Sequence, residues 1–264
     1  MEEKVHKYLS YLKKGKVVTI SLNRPEKLNA INLEIAMQLK KVLSDFAKDN
    51  DIKAGIITGT GDKAFSVGGD IGMFLRLLQA QKRLMTLLKI GYDVHRLIEH
   101  IEKPLIAAVN GYCLAGGLEI ALACDFIIAS DDASLGLIEI SIGIIPGWGG
   151  CIRLPRAISI RKAKEMIYTG ELITAQEAER MGLVNKVVPK NQLYEAACEL
   201  ADKLASKSTL ALRMAKNVIN HAWETHGIDS ALSIERGGFC VLVGGEDCKE
   251  GISAFLEKRP PSFK

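Results

Sequence analysis

The sequence predicts an α/β fold, and two observations support that prediction. Short apolar segments rich in β-branched residues alternate with longer segments of helical periodicity through most of the chain, as they do where strands are connected by helices. From Ile160 onward the pattern is mostly helical. We therefore expect residues 1–200 to form a core that carries the functional site, and residues 201–264 to form a helical region that packs against something else.

The first strand of the prediction is "KVVTISLN", Lys16 to Asn23, in which β-branched residues alternate with others. Asn32 is placed to cap a helix over residues 33–48, because apolar residues recur there on one stripe. Two further strands follow, "AGIITGTG" and "KAFSVGGDIGMF", and each closes in a glycine-rich turn.

A long helical pattern runs from Phe74 to Ile101, and Gly91 predicts a break or bend within it. Pro104 ends this pattern and starts "PLIAAVNG", which is typical of a buried strand, as is "DFIIAS" further on. Between these two strands the glycine pair Gly116-Gly117 opens a helix that extends to Ala123.

The pattern from Ile160 to His226 is mostly helical, and so is the pattern from Ser230 to Phe255. Within the first of these, "ITAQEAERMGL" contains Thr174 followed three residues later by Glu177. That spacing is typical of a capping box, so a helix should start directly after Thr174. No internal repeat or low-complexity linker divides the chain.

Composition and charge exclude some classes of function. The chain has 264 residues, of which 48% are hydrophobic and 25% charged, as in ordinary globular proteins. A net charge of +4 suits an anionic small molecule, but basic residues are scattered rather than concentrated as in nucleic-acid-binding proteins. We expect no nucleic-acid partner.

The expected location is the cytoplasm. The six cysteines show no CxxC spacing, and several lie in apolar runs, which predicts free thiols in a reducing compartment. The first sixteen residues carry charges throughout, unlike a signal peptide. No apolar stretch reaches the length of a membrane span, and none of the five histidines has a metal-ligand spacing. We expect no membrane partner and no metal.

Two carboxylates stand in apolar surroundings. Glu119 lies in "NGYCLAGGLEIALACDFIIAS", and Glu139 is the only charged residue of "ASLGLIEISIGIIPGWGG". A buried ionised carboxylate is costly unless it is paired or its pKa rises. Two such groups that interact titrate as a pair, so that one can be protonated while the other is ionised. This is suitable equipment for moving protons at a carbon next to a carbonyl.

Glycine turns accompany both carboxylates. Gly116 and Gly117 stand at the start of the helix that carries Glu119, and Gly68-Gly69 follow a strand in a similar way. Glycines at such positions leave backbone N–H groups bare. Two of them converging on one oxygen would form an oxyanion hole.

A structural role is the alternative for each of these residues. Either glutamate could be salt-bridged to an arginine such as Arg153, and glycine turns often mark only tight backbone geometry. Asp70 and Asp125 are expected to be helix caps or buried structural acceptors rather than catalysts. Spacing alone does not decide between these alternatives.

The blocks "NRPEKLNAIN", "FSVGGDI", "NGYCLAGGLEIALACDFIIAS", "IPGWGG" and "EGISAFLEKR" together resemble the enoyl-CoA hydratase/isomerase (crotonase) family, from about Lys16 to the C-terminus. The resemblance implies a spiral of ββα turns in residues 1–200 and a helical oligomerisation region in residues 201–264, assembled as a trimer or a dimer of trimers. It also implies an acyl-CoA thioester substrate, in which coenzyme A is part of the substrate and no cofactor is needed.

The resemblance assigns roles to particular residues. The substrate carbonyl would lie between the backbone amides of Gly69 and Gly116. Hydratases of the family have two catalytic glutamates, which match Glu119 and Glu139 here. The expected activity is therefore the addition of water to the 2,3 double bond of a 2-enoyl-CoA, with Glu119 as the base toward water and protonated Glu139 as the proton donor to C2.

Further residues are expected, by the same resemblance, to bind the acyl-CoA. They are Lys27, Leu28, Ser66, Gly68, Asp70, Ile71, Gly147, Trp148, Phe255 and Lys258. Phe255 and Lys258 would reach the nucleotide, in this subunit or a neighbouring one, and Lys27 the phosphates. For the two lysines the alternative is an ordinary surface charge.

Three positions depart from the commonest family pattern. Val67 replaces a usual Ala, Ala115 a frequent Gly, and Trp148 a residue that is often small. Trp148 either shapes the acyl pocket, for example for a branched or cyclic acyl group, or is ordinary packing.

The alternative activities are an enoyl-CoA double-bond isomerase and a hydratase specialised for a cyclic or dienoyl acyl-CoA. A protein that binds RNA, or one that is catalytically inactive, are alternatives of another class.

Overall fold

The computed structural model describes residues 2–78, 80–225 and 227–263. Its strands, in chain order, are β1 Glu2–Val5, β2 Leu9–Lys14, β3 Val17–Leu22, β4 Ala54–Gly59, β5 Ala64–Ser66, β6 Leu105–Val109, β7 Tyr112–Leu114, β8 Phe126–Ser130, β9 Ser134–Gly136, β10 Ile173–Thr174 and β11 Lys186–Val188.

The helices are α1 Leu33–Lys48, α2 Ile71–Leu78, α3 Gln81–His100, α4 Gly116–Ala123, α5 Gly150–Ala157, α6 Ile160–Thr169, α7 Ala175–Arg180, α8 Leu193–Ala205, α9 Thr209–Glu224, α10 Ile228–Leu242 and α11 Glu246–Leu256. Three short 3₁₀ turns cover Pro25–Lys27, Glu139–Ile142 and Lys190–Gln192.

Two sheets form the core of the fold. The larger has the strand order β1-β2-β3-β4-β6-β8-β11 and is parallel from β3 onward. The smaller has the order β10-β9-β7-β5. Consecutive strands alternate between them, since β4, β6 and β8 lie in the larger sheet and β5, β7 and β9 in the smaller. Helices follow each such strand pair, which is the ββα spiral that the sequence resemblance implies.

One large apolar cluster fills the space between the two sheets and helices α1, α3 and α4. A second cluster lies between the outer face of the larger sheet and α8. The strands β4, β6 and β8 are mostly apolar because both of their faces are covered. The glycine turns that end β5 and β7 are thereby held at the same edge of the smaller sheet.

Helix α1 begins as the sequence predicts. The side chain of Asn32 accepts a hydrogen bond from the N–H of Ile35, at 2.8 Å, and caps the helix. The buried stripe of α1 consists of apolar residues at helical spacing: Ile35, Ala36, Leu39, Val42, Leu43 and Phe46.

The prediction of a break at Gly91 is wrong. Helix α3 runs without interruption through Gly91, and the helical pattern divides instead before residue 81, where Ala80 has non-helical dihedral angles. Gly91 is glycine for a different reason. A Cβ at this position would overlap the indole ring of Trp148, so the missing side chain serves close packing rather than a break.

The C-terminal helical pattern is also more divided than predicted. Between residues 160 and 225 it contains α6 to α9 together with β10 and β11, and residue 226 lies outside the described range. The predicted helix from Ser230 to Phe255 consists of α10 and α11, separated by Gly244 and Gly245. The division of the chain at residue 200 stays a prediction. Helix α8 extends across this position and packs on the larger sheet.

Helix α9 is attached to the core by charged side chains. Lys216 Nζ lies 2.8 Å from Asp125 Oδ2, and Arg213 pairs with Glu102 at 2.7 Å. Asp125 also accepts the N–H of Leu105 at 2.8 Å. The prediction that Asp125 is a structural acceptor is therefore confirmed. Among the described residues, no helix has the length and apolar character needed to cross a lipid bilayer.

The predicted capping box is present at the start of α7, and it is testable. Thr174 accepts the N–H of Glu177 at 3.2 Å, and the Glu177 carboxylate accepts the N–H of Thr174 at 2.9 Å. Thr174→Ala should lower the free energy of unfolding by about 1 kcal/mol, because an N–H at the helix start loses its partner.

Urea denaturation followed by circular dichroism measures this change. Ser44→Ala is a suitable control, because the Ser44 hydroxyl only donates back to the Lys40 carbonyl inside α1. It should change stability by less than about 0.5 kcal/mol. Equal effects of the two substitutions would contradict a specific role for the cap.

Candidate active site

A largely apolar cavity of about 390 Å³ lies where the glycine turn after β5 meets the start of α4. Helices α2 and α3 and the segment from Ile138 to Trp148 complete its walls. Its lining residues are Val67, Gly69, Asp70, Ile71, Met73, Phe74, Leu87, Leu88, Ala115, Gly116, Glu119, Ile138, Glu139, Ile142, Ile144, Ile145, Gly147 and Trp148. Both predicted catalytic glutamates and both predicted oxyanion-hole glycines thus border one cavity.

The two glycine turns approach each other so closely that side chains are excluded between them. A Cβ on Gly117 would overlap the carbonyl group of Ser66. A Cβ on Gly68, whose φ is +87°, would lie 2.7 Å from the Cβ of Ala115 and 2.8 Å from the N of Gly116. Ala115 itself adopts φ of 49°, a left-handed value that is uncommon for a residue with a Cβ. The close approach therefore depends on glycine at both turns.

The N–H groups of Gly69 and Gly116 are free to bind a ligand. Around Gly69, the carbonyl of Gly68 accepts the N–H of Ile31 at 2.7 Å, and the N–H of Asp70 donates to Ile31 at 2.9 Å. The N–H of Gly69 itself has no acceptor among the described residues. Gly116 is the first residue of α4, so its N–H has no acceptor within the helix. Both groups border the cavity, and the positive end of the helix dipole adds to the potential there.

Glu119 lies on the first turn of α4 and is only 1% exposed. Its Oε1 accepts two backbone hydrogen bonds, from the N–H groups of Trp148 and Gly150, both at 2.8 Å. Burial raises the pKa of this carboxyl, and the two N–H donors oppose the rise. Since the donors favour the ionised form, Glu119 is the better candidate of the two glutamates for the carboxylate state.

Glu139 opens the 3₁₀ turn Glu139–Ile142 and is 8% exposed. Its Oε2 is buried and has no hydrogen-bond partner among the described residues. Burial raises the pKa of Glu139 to about 7, and the negative charge of Glu119 contributes to the rise. The two carboxyls therefore form an interacting pair in unlike environments, with the proton favoured on Glu139.

The alternative prediction of a salt bridge from either glutamate to Arg153 is wrong. Arg153 makes a bidentate pair with Glu99, at 2.6 and 2.8 Å. It also donates to the carbonyl of Trp148 at 2.6 Å. The arginine thus holds the backbone of the loop that binds Glu119, while neither glutamate of the cavity has an ion pair within the described ranges.

Asp70 and Ile71 border the cavity, and Asp70 also has a structural role. Its Oδ1 accepts the N–H of Met73 at 2.9 Å, at the start of α2, and its Oδ2 pairs with Arg24 at 2.6 Å. The prediction that Asp70 is a cap is confirmed. Ile71 is exposed at the mouth of the cavity, where Gly147 and the indole of Trp148 also contribute to the wall.

Ser66 and Gly68 do not line this cavity, and their contact with the acyl-CoA stays a prediction. Ser66 is fully buried; its hydroxyl donates to the carbonyl of Asn29 at 2.8 Å and accepts the N–H of Gly68 at 3.2 Å. Both residues therefore shape the turn that presents Gly69. The sequence signal for this turn role is a serine two residues before a glycine, at the end of a strand.

The remaining predicted residues also lie outside the lining of this cavity. Lys27 and Leu28 belong to the 3₁₀ turn after β3 and its cap. Phe255 is 82% exposed and borders a separate groove formed by α9 and α11. Lys258 follows α11 and is exposed. Their contact with the acyl-CoA stays a prediction, and for Phe255 and Lys258 it concerns the nucleotide of this subunit or of a neighbouring one.

Sequence reasoning missed the groups that support the site from behind. His95 on α3 is buried, stacks near Trp148 with 5.5 Å between ring centroids, and bonds through Nδ1 to the carbonyl of Gly91 at 2.6 Å. Burial lowers the pKa of His95 to about 4, so the ring is neutral. A glycine and a histidine four residues apart in an apolar helical pattern were the only signal. Among the described residues, no cluster of three or more metal-ligating side chains occurs.

Comparison with known proteins agrees with this arrangement. A family model described as enoyl-CoA hydratase/isomerase matches residues 13–264. The chain is 42% identical to a crotonyl-CoA hydratase of Syntrophomonas wolfei over 95% of both chains. It is 41% identical to a short-chain-enoyl-CoA hydratase of Clostridium acetobutylicum over 94% of both chains.

Solved structures show the same relationship. An enoyl-CoA hydratase from Bacillus anthracis superposes with a TM-score of 0.94 at 39% identity, covering 98% of this chain and 99% of that one. The match of the family model extends over nearly the whole sequence and includes every residue that borders the cavity. The chain therefore belongs to the enoyl-CoA hydratase/isomerase family.

Proposed function

We propose that the protein is an enoyl-CoA hydratase, which adds water to the 2,3 double bond of a 2-enoyl-CoA thioester to give a 3-hydroxyacyl-CoA. One observation carries the proposal: two buried carboxyls with unlike environments face the same cavity as two free backbone N–H groups. Three curated relatives, at 41–42% identity, are hydratases by name, of crotonyl-CoA, of short-chain enoyl-CoA and of 2,3-dehydroadipyl-CoA.

The oxyanion hole would act on the thioester carbonyl. With the carbonyl oxygen between the N–H groups of Gly69 and Gly116, the negative charge that develops there during attack at C3 is stabilised. Loss of one such donor typically costs about 2.7–4 kcal/mol of transition-state stabilisation. The polarised thioester also makes C3 electrophilic, which water attack requires.

The two carboxyls would divide the proton transfers. Ionised Glu119, oriented by the N–H groups of Trp148 and Gly150, accepts a proton from the water whose oxygen bonds to C3. Protonated Glu139 donates its proton to C2, and the double bond becomes a single bond. The product has gained one H and one OH. Glu119 is then protonated and Glu139 ionised, so Glu119 must lose a proton and Glu139 must regain one, directly or through water, before the next turnover. The reaction as written needs no metal and no redox cofactor.

The proposal also covers the assembly of the protein and its location in the cell. Helix α10 buries none of its residues against the rest of the chain, and Ile228, Leu232 and Phe239 on it are exposed. Large exposed apolar surfaces are typical of subunit interfaces, which supports a trimer or a dimer of trimers. The six cysteines are free, as in a reducing compartment, which supports a cytoplasmic location.

Substitution of either glutamate tests the mechanism. Glu119→Gln and Glu139→Gln should each lower kcat for hydration of crotonyl-CoA by about 10²–10⁴-fold, because each removes a positioned proton-transfer group. The loss of the enone absorbance follows the reaction. Glu34→Gln provides a control with the same chemical change, since Glu34 pairs with Lys7 on the surface.

Turnover that survives Glu139→Gln would contradict the two-carboxyl assignment. An enzyme with one working glutamate would be expected to move a double bond rather than to hydrate it. The same assays should therefore be analysed for a shifted double bond as well as for the hydroxyacyl product.

The pH dependence of hydration tests the protonation states. In the proposed mechanism Glu139 must carry a proton, and burial raises its pKa to about 7. The titration of Glu139 should therefore leave kcat/KM constant below about pH 7 and make it fall as pH rises further. The profile of kcat/KM reports the groups of the free enzyme. A rate that instead rises through this range would show that Glu139 acts as the base.

Stability gives a readout of Glu139 that does not depend on catalysis. Because the pKa of Glu139 is raised on folding, from the model-compound value of 4.5 to about 7, the folded state binds the proton more tightly. Its contribution is favourable at low pH and is lost as pH rises through that interval.

Glu139→Gln should remove this dependence. Between about pH 5 and about pH 8, the unfolding free energy of the wild type should decline by about 3 kcal/mol more than that of the variant. Urea denaturation at the two pH values measures the difference. Parallel pH dependences for the two proteins would show that Glu139 titrates normally in the folded state.

A further inference from the structure

The indole of Trp148 forms part of the cavity wall, and its backbone is held on both sides. The N–H of Trp148 donates to Glu119 at 2.8 Å, and its carbonyl accepts from Arg153 at 2.6 Å. The residue is 6% exposed and borders the cavity beside Leu87, Leu88 and Gly147. Its side chain is therefore fixed at its base, independently of what the ring contacts.

The ring fills the space between α3 and α4 completely. On the α3 side, a Cβ at Gly91 would overlap its Nε1 and Cε2 atoms. On the α4 side, a Cβ at Gly116 would lie 2.5 Å from Cζ3 and 2.7 Å from Cε3. Neither helix could carry even a methyl group at these positions without displacing the indole. The ring thus has glycine on two sides and buried His95 near it.

Nothing in this contact provides a hydrogen bond for the indole. The Nε1 of Trp148 is buried without a partner among the described residues. An unpartnered buried N–H is costly, so an aliphatic residue would pack here at lower cost if filling space were the only need. The cost indicates that the size and rigidity of the indole matter at this wall.

The other walls of the cavity are mostly apolar and include three acidic side chains. Asp70, Glu119 and Glu139 supply its only charged side chains within the described ranges, and no lysine or arginine lines it. Two of these carboxyls belong to the proposed chemistry, and Asp70 is paired with Arg24. An acyl chain in this cavity therefore meets hydrocarbon walls, and its length is limited by where those walls end.

We propose that Trp148, seated on Gly91 and Gly116, closes the acyl cavity toward α3 and restricts the enzyme to short acyl chains. This inference rests on the proposed function, because it assigns an acyl preference to the same site. Trp148 acts as a specificity-determining residue: its ring occupies the path between α3 and α4 that a longer chain would need. Gly91 is its counterpart on α3, since only glycine leaves room for the indole.

Two substitutions should move the specificity in opposite directions. Trp148→Ala vacates the space between Gly91 and Gly116 and joins it to the cavity, while the backbone N–H that holds Glu119 stays. Gly91→Ala places a methyl group where the indole edge lies and moves the ring into the cavity. The first should admit longer chains, and the second should exclude them more strongly.

The experiment measures kcat/KM for crotonyl-CoA, octenoyl-CoA and dodecenoyl-CoA with wild type, Trp148→Ala and Gly91→Ala. The wild type should prefer crotonyl-CoA. Trp148→Ala should raise the ratio of dodecenoyl-CoA to crotonyl-CoA by about tenfold or more, and Gly91→Ala should lower the ratio of octenoyl-CoA to crotonyl-CoA by about tenfold, as expected for a change of a few carbon atoms at a pocket wall. Trp148→Phe, which keeps most of the ring, should lie between wild type and Trp148→Ala, and it replaces Trp148→Ala if that variant fails to fold.

The outcomes separate this inference from the proposed function. A wild type that hydrates dodecenoyl-CoA as efficiently as crotonyl-CoA, or two variants that shift the ratio in the same direction, would overturn the role of Trp148 while leaving hydration intact. If no substrate is hydrated, the proposed function fails. In that case, calorimetric binding of butyryl-CoA and dodecanoyl-CoA to the same proteins tests the limit on acyl-chain length without catalysis. The wild type should bind butyryl-CoA more tightly than dodecanoyl-CoA. Trp148→Ala should bind dodecanoyl-CoA more tightly than butyryl-CoA, and the same order as in the wild type would overturn the role of Trp148.

Discussion

The close approach of two backbone turns is the constraint on which the site depends. The segment Ser66–Gly69 and the start of α4 touch through backbone atoms, because a Cβ at Gly117 would overlap the Ser66 carbonyl. Such contact is possible only where one of the two residues has no side chain. It brings to one cavity two N–H groups that have no acceptor among the described residues, and it places the first turn of α4, with Glu119, beside them. The parallel strands β5 and β7 fix the distance between the turns.

The loop from Trp148 to Gly150 influences the protonation of the two carboxyls at the cavity. Its backbone supplies two N–H donors to Glu119, and Arg153, paired with Glu99 on α3, holds its carbonyl side. Glu139 Oε2 receives no hydrogen bond from the described residues. Burial raises the pKa of both carboxyls, and the backbone donors from Trp148 and Gly150 oppose the rise only at Glu119. Because the two side chains are chemically identical, these backbone contacts make their environments unlike.

A buried structural layer lies behind the cavity. Helix α3 contributes Gly91 and His95, which lie against the indole of Trp148. The neutral state of His95, whose pKa is lowered to about 4 by burial, avoids an uncompensated charge in this buried layer. Packing in this layer is tight enough that single methyl groups would change the shape of the cavity, as is general for protein interiors.

The sequence by itself determined the α/β class, the caps at Asn32 and Thr174, and the two isolated carboxylates in apolar runs. It did not predict the first two strands or the short strands β7, β9, β10 and β11. The predicted features are local, since periodicity, capping spacing and a charge among apolar neighbours can be read from adjacent residues. The family motifs, taken together, also indicated the ββα spiral and the four groups that border the cavity.

Only the tertiary structure decided the partners that lie far apart in the chain. Arg153 is paired with Glu99 and not with a cavity glutamate, Ser66 shapes a turn instead of touching the cavity, and Gly91 makes room for Trp148 without breaking its helix. Each of these outcomes depends on a contact between segments separated by tens of residues. A sequence pattern shows that a residue is buried or small, but the neighbour that requires it is set by how the sheets and helices pack.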